Sequence, residues 1–113
     1  MLASRAELLA IKPDYAAMRG IELGAVAPWA DADAQFEVRA FVADNGGYED
    51  PVTGSLNASL AQWLIGANLA PPSYVASQGT ALGRAGRVHV ERDGETIWVG
   101  GGSVSCVRGQ VAF

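Results

Sequence analysis

Apolar and polar positions alternate with period two from Gln35 to Val42, placing Phe36, Val38, Ala40 and Val42 on one face and Glu37, Arg39 and Phe41 on the other. This predicts a strand whose second face, mixing a charge pair with an aromatic, is partly covered. The apolar, β-branched run from Ile21 to Trp29 predicts a strand before it, joined through a turn at Asp31 to Asp33. After the break at Pro71-Pro72 a short strand is expected from Tyr74 to Ser77, and Gln78-Gly79 opens a loop to Gly86. Asp93-Gly94 predicts a two-residue type I′ turn that pairs Val90 with Ile97, Val88 with Val99 and His89 with Trp98, leaving one aliphatic face. Gly100 to Gly102 then bends the chain into a last strand, Ser103 to Val107.

Helical spacing is confined to three places. Ser4 and Glu7 have the spacing of a capping box, so a short helix should run to about Ala10. Pro13 should open a second helix through Met18, with Asp14 near its positive end and Gly20 as its stop. The third and longest is entered from Glu49 to Ser55, runs to about Ile65 and ends at Gly66. Its Leu56, Leu60, Ala61, Trp63, Leu64 and Ile65 point in nearly every direction around the axis, which predicts burial on most sides within a surrounding sheet. Asn45-Gly46-Gly47 reads as a flexible turn ahead of it.

Composition narrows the function classes. At 113 residues, half of them apolar and under a fifth charged, the chain is expected to form one folded domain over residues 1–113. The net charge of −4, with the basic residues scattered from Arg5 to Arg108, disfavours a nucleic-acid partner. The stretch Leu56 to Leu69 is interrupted by Asn57, Ser59, Gln62 and Gly66, so no membrane span is expected. The N-terminus lacks the pattern of a secretory signal, and a cytoplasmic location is expected. Cys106 and His89 are each the only residue of their kind, so a disulfide, a zinc cluster or a Ser/His/Asp triad would need partners the sequence does not contain. Neither a cofactor nor a metal is expected.

The stretch Asp50 to Ser55 is the best candidate for chemistry. A Pro-Val-Thr-Gly-Ser turn feeding a buried helix aims free backbone N–H groups and a positive dipole end at one spot, where an anion such as a substrate carboxylate could bind. Gly54 would let a ligand approach the backbone, Ser55 adds a hydroxyl, and Asp50 stands beside them as a carboxyl group. A plainer reading stays open, in which Asp50 or Thr53 merely caps the helix.

The string EDPVTGSLNASLAQWL resembles the signature of phenazine-biosynthesis-like (PhzF-like) proteins, in which Glu-Asp-Pro-x-Thr-Gly-Ser leads into the central helix of the C-terminal domain. Arg39-Ala40-Phe41 before it, and Gln78-Gly79, Gly83-Arg84, the strand Arg87 to Glu91 and Ile97 to Gly101 after it, are similar in order and approximate spacing. The resemblance implies an α+β, diaminopimelate-epimerase-like domain, a mixed or antiparallel barrel-like sheet wrapped around a central helix, and an active site between two such domains. It further implies a cofactor-independent isomerase that moves a proton and a double bond in a small carboxylated metabolite. Asp50 would be the active-site aspartate, and Thr53, Gly54 and Ser55 would receive the substrate carboxylate. The family's principal acid/base glutamate and its partner histidine belong to the first domain, which no segment here resembles, so the chain alone is expected to hold half of a site.

The remaining reactive residues have simpler roles. His89 is expected in a cross-strand contact, Cys106 in the core as a small residue, Gly100 to Gly102 as a bend, and Arg84 and Arg87 on the solvated surface. Two architectures remain open for the cleft: a missing N-terminal domain or partner chain, or a homodimer acting as a non-catalytic binding module.

Overall fold

The computed structural model describes residues 1–30 and 33–113. Its elements run α1 (Arg5–Leu9), β1 (Glu22–Pro28), β2 (Phe36–Val42), β3 (Tyr48–Asp50), α2 (Gly54–Gly66), β4 (Ser73–Gln78), β5 (Gly86–Asp93) and β6 (Thr96–Gly100), with short 3₁₀ turns at Asp44–Gly46 and Thr80–Leu82. The turn expected at Asp31 to Asp33 falls on residues 31 and 32, outside the described residues.

The strands form one mixed sheet in the order β1-β2-β4-β5-β6, antiparallel except where β2 and β4 run parallel. Along one edge β2 pairs with β1 over its whole length. Its other edge is divided, with Phe36 to Val38 pairing with β4 and Ala40 to Val42 pairing with β3. The sheet curves around α2, so that every long strand packs on the helix: Val26 from β1, Phe36 and Val38 from β2, Tyr74 and Ala76 from β4, Val88 and Val90 from β5, Ile97 and Val99 from β6. From α2 come Leu60, Ala61, Leu64 and Ile65, spaced to share one stripe of the helix. The architecture is the expected α+β one. The helix is less enclosed than its composition suggested, because Ser55, Ser59, Gln62 and Trp63 face outward and Trp63 is 46% exposed.

Helix α1 closes the opposite face of β1 and β2 through the fully buried Leu8. Ser4 caps it by accepting from the Glu7 N–H, as the spacing predicted, and the Glu7 carboxylate reaches back to the Ala3 N–H. Because α1 lies here, Glu37 and Arg39 are buried rather than half-covered.

Three expectations are corrected. Pro13 to Met18 forms only turns: the Asp14 side chain accepts from the Ala17 N–H and Met18 bonds back to Asp14 and Tyr15, but no helix propagates before Gly20 takes a positive φ of 70°. Helix α2 does end at Gly66 as expected, and the residue that takes the left-handed conformation after it is Asn68, at φ 56°. The β5–β6 hairpin closes through Gly94-Glu95, so Val90 pairs with Val99, Glu91 with Trp98 and His89 with Gly100. Only Gly94 has positive φ there, as a type II′ turn requires, and a slip of two residues keeps every side chain on its predicted face. Finally, residues 101–113 carry neither strand nor helix and are exposed throughout, so the strand expected at Ser103 to Val107 is absent and Cys106 is exposed rather than in the core. No strand among the described residues pairs with this segment, and an extended backbone without a partner forms no ladder.

Candidate functional site

The divided edge of β2 builds the site. Ala40 pairs with Asp50, the last residue of β3, and Val38 pairs with Gln78, the last residue of β4. Two residues 28 positions apart therefore end side by side, and the Glu-Asp-Pro-Val-Thr-Gly-Ser turn leaves from one of them.

Gln78 is fully buried beneath that turn. Its side-chain Nε2 donates to the Asp50 carbonyl and to Thr53 Oγ1, both at 2.9 Å. Its Oε1 accepts from the Thr53 N–H at 3.1 Å and from Asn57 Nδ2 at 2.9 Å. Asn57, also buried, donates in addition to the Thr53 carbonyl at 2.8 Å, and its own Oδ1 has no partner. The Thr53 hydroxyl donates to Asp50 Oδ2 at 2.7 Å. A buried polar group costs little only when it is hydrogen-bonded, so Gln78, with both donors and both acceptor positions filled, fixes the turn.

Two glycines let the turn seat this closely. A Cβ at Gly79, whose φ is +91°, would lie 2.8 Å from the Pro51 carbonyl oxygen, and one at Gly86 would lie 2.5 Å from Val52 Cγ2 and 2.6 Å from the Gln78 carbonyl oxygen. Ahead of the turn, Arg39 anchors β3. Its guanidinium makes a two-point pair with the Glu49 carboxylate at 2.9 and 2.7 Å and donates to the carbonyls of Leu8, Leu9 and Ile11. Its pKa is raised, chiefly by the hydrogen bonds to Glu49. The nearby Tyr15 phenol, over Gly47, is likewise pushed up, by burial and then by the Glu49 charge.

Beyond this framework the start of α2 is open. Thr53 has the extended backbone of an N-cap, yet its hydroxyl caps nothing. Among the described residues the N–H groups of Gly54, Ser55 and Leu56 have no hydrogen-bond partner, and both Gly54 and Ser55 are exposed. A Cβ on Gly54 would meet nothing within 4 Å. Beside this helix end, a cleft of about 240 Å³ runs between α2 and the β1–β2 pair, with Glu22, Gly24, Val42, Ser55, Leu56 and Ser59 in its walls.

Asp50, Thr53, Gly54 and Ser55 thus lie together on one turn. Reading the sequence did not give Gln78 a role beyond the Gln-Gly match, and missed Asn57 and the packing roles of Gly79 and Gly86. Asn57 had a signal: it falls in register with Leu60, Ala61 and Leu64 on the buried stripe, where a polar side chain must have a partner. His89 and Trp98 sit elsewhere, on the outer face of β5 and β6, in a groove of about 520 Å³. Arg84 is exposed, whereas Arg87 pairs with Asp33 and donates to Ser77 and the Gly86 carbonyl. Among the described residues no three His, Cys, Asp or Glu side chains cluster as a metal site requires, and no helix is long and apolar enough to cross a membrane.

The family model for phenazine biosynthesis-like protein (PhzC-PhzF) matches residues 1–109. The chain belongs to the PhzC-PhzF family. Among solved structures it is similar to a phenazine biosynthesis PhzC/PhzF protein from Clostridium difficile strain 630, with a TM-score of 0.75, 26% identity, and coverage of 99% of this chain and 43% of that one. It is also similar to a PhzF-family phenazine biosynthesis protein from Enterococcus faecalis, with a TM-score of 0.68, 26% identity, and coverage of 88% and 38%. The chain therefore spans less than half the length of these PhzF-family structures. No curated protein matches it.

Proposed function

We propose that this chain is the C-terminal domain of a two-domain, cofactor-independent isomerase that moves a proton, and with it a double bond, in a small carboxylated metabolite. The observation that carries the reading is the uncapped start of α2 beside Asp50. Three unpartnered N–H groups and the positive end of a 13-residue helix offer a carboxylate its hydrogen bonds and its counter-charge together. Ser55 contributes a hydroxyl from the same turn, and Thr53 lies behind, holding Asp50.

In this reading the substrate carboxylate sits on Gly54 and Ser55, which brings its neighbouring carbon toward Asp50. The carboxyl group of Asp50, with one oxygen held by Thr53, has the other available to give or take a proton on the substrate. Proton transfer at carbon needs a second positioned group on the opposing wall, and the resemblance assigns that role to the missing domain. The coverage of 43% of a solved relative supports a site completed by another domain or chain.

The test is Asp50→Asn in the assembled two-domain enzyme, followed by solvent-deuterium incorporation into carboxylated substrates. Loss of a general acid/base should lower turnover on the order of 10²–10⁴-fold. Unchanged turnover would remove Asp50 from the mechanism.

A further inference from the structure

We propose that Gln78 is the positioning residue of this site: its carboxamide holds the Thr53 hydroxyl as a donor to Asp50, and by doing so keeps that hydroxyl from capping α2. The inference rests on reading the 50–55 turn as a carboxylate site, and it adds what keeps that site open.

A threonine hydroxyl has one proton and two acceptor positions. Gln78 Nε2 donates to Thr53 Oγ1 at 2.9 Å, so the single proton of Thr53 is directed to Asp50 Oδ2 at 2.7 Å. A threonine at an N-cap ordinarily turns its oxygen toward the second or third N–H of its helix, here Ser55 or Leu56. Thr53 has the backbone for this, at φ −121° and ψ 104°, but makes no such bond. The orientation of the Gln78 amide is in turn unambiguous. Flipping it would set Nε2 against the Thr53 N–H and the Asn57 amino group, and Oε1 against the Asp50 carbonyl. Asn57 is fixed by the same logic, because its Nδ2 faces two acceptors, and this is why its buried Oδ1 is left without a partner. Two buried amides thus decide that the helix start stays free.

The test uses the purified chain and its Gln78→Met, Thr53→Val and Gln78→Met/Thr53→Val variants. Amide hydrogen exchange at Gly54, Ser55 and Leu56 is followed by NMR, together with a titration by acetate, with acetamide as the neutral control. Freed from Gln78, the Thr53 hydroxyl should swing onto the helix and protect Ser55 or Leu56 about 5–10-fold in exchange, the size of an ordinary cap, with a similar drop in the acetate response. Adding Thr53→Val should restore both, a rescue that a merely structural role for Gln78 would not produce. Thr53→Val alone should leave exchange at Ser55 and Leu56 within about twofold of the parent, since no cap is lost. Because this variant leaves Gln78 in place, the proposal stays testable even if Gln78→Met does not fold.

A rise of fivefold or more in exchange in Thr53→Val, or failure of the double variant to reverse Gln78→Met, would overturn the proposal. If the exchange pattern follows the proposal while the parent chain ignores acetate, the positioning role stands and the carboxylate reading falls.

Discussion

Replacing Arg39 by Met removes five hydrogen bonds at once, two to the Glu49 carboxylate and three to the carbonyls of Leu8, Leu9 and Ile11. The partners are nearly dry, with side-chain exposures of 5% for Arg39 and 7% for Glu49. The variant therefore strands a carboxylate without its counter-ion, which costs about 3–5 kcal/mol. The carbonyls matter less. The contact with Leu9 is long, at 3.4 Å, and the two shorter ones, at 3.0 and 2.9 Å, should account for roughly 2 kcal/mol.

A double variant, Arg39→Met with Glu49→Leu, removes the stranded charge and should recover most of the loss, leaving only that carbonyl share. Urea denaturation of the parent, both single variants and the double variant gives the cycle directly. An Arg39→Met cost below about 1 kcal/mol would mean that the pair behaves as a solvated surface bridge. A double variant no more stable than Arg39→Met would refute the argument that the orphaned carboxylate dominates.

Gly86→Ala should destabilise the chain by about 1–3 kcal/mol, because its methyl meets the immobile Gln78 carbonyl as well as Val52. An unchanged denaturation midpoint would show that the 50–55 turn can lift away without cost. Burial pushes the Tyr74 phenol up to about 12, above the value near 10 of an unfolded tyrosine. The neutral phenol is thus the form the fold favours: its contribution is complete below about pH 10 and is lost as pH rises through about 12, a change of roughly 2–3 kcal/mol. Tyr74→Phe should remove that part of the alkaline loss, and identical pH profiles for the two proteins between pH 9.5 and 12 would contradict the assignment. The effects of Asp50→Asn on turnover and of Gln78→Met on exchange test the site itself.

Local chemistry determined a good deal by itself. The Ser4 cap, the strand alternation from Phe36 to Val42, the start of α2 and the turn that carries Asp50, Thr53, Gly54 and Ser55 all follow from spacings of a few residues, and such spacings are written in the chain. The faces of the β5–β6 hairpin were legible for the same reason, although the strand pairing slipped by two residues, because period-two alternation is indifferent to an even shift. Pairing over long separations was not legible. Nothing near Gln78 says that it ends beside Asp50; that depends on β2 dividing one edge between β3 and β4. Nor does the alternation around Glu37 and Arg39 say that α1 will cover them, since burial depends on which distant element packs above. The sequence alone determined which residues make up the turn at the start of α2. Tertiary structure decided what holds them there, because a buried amide can be satisfied only by groups that folding brings to it.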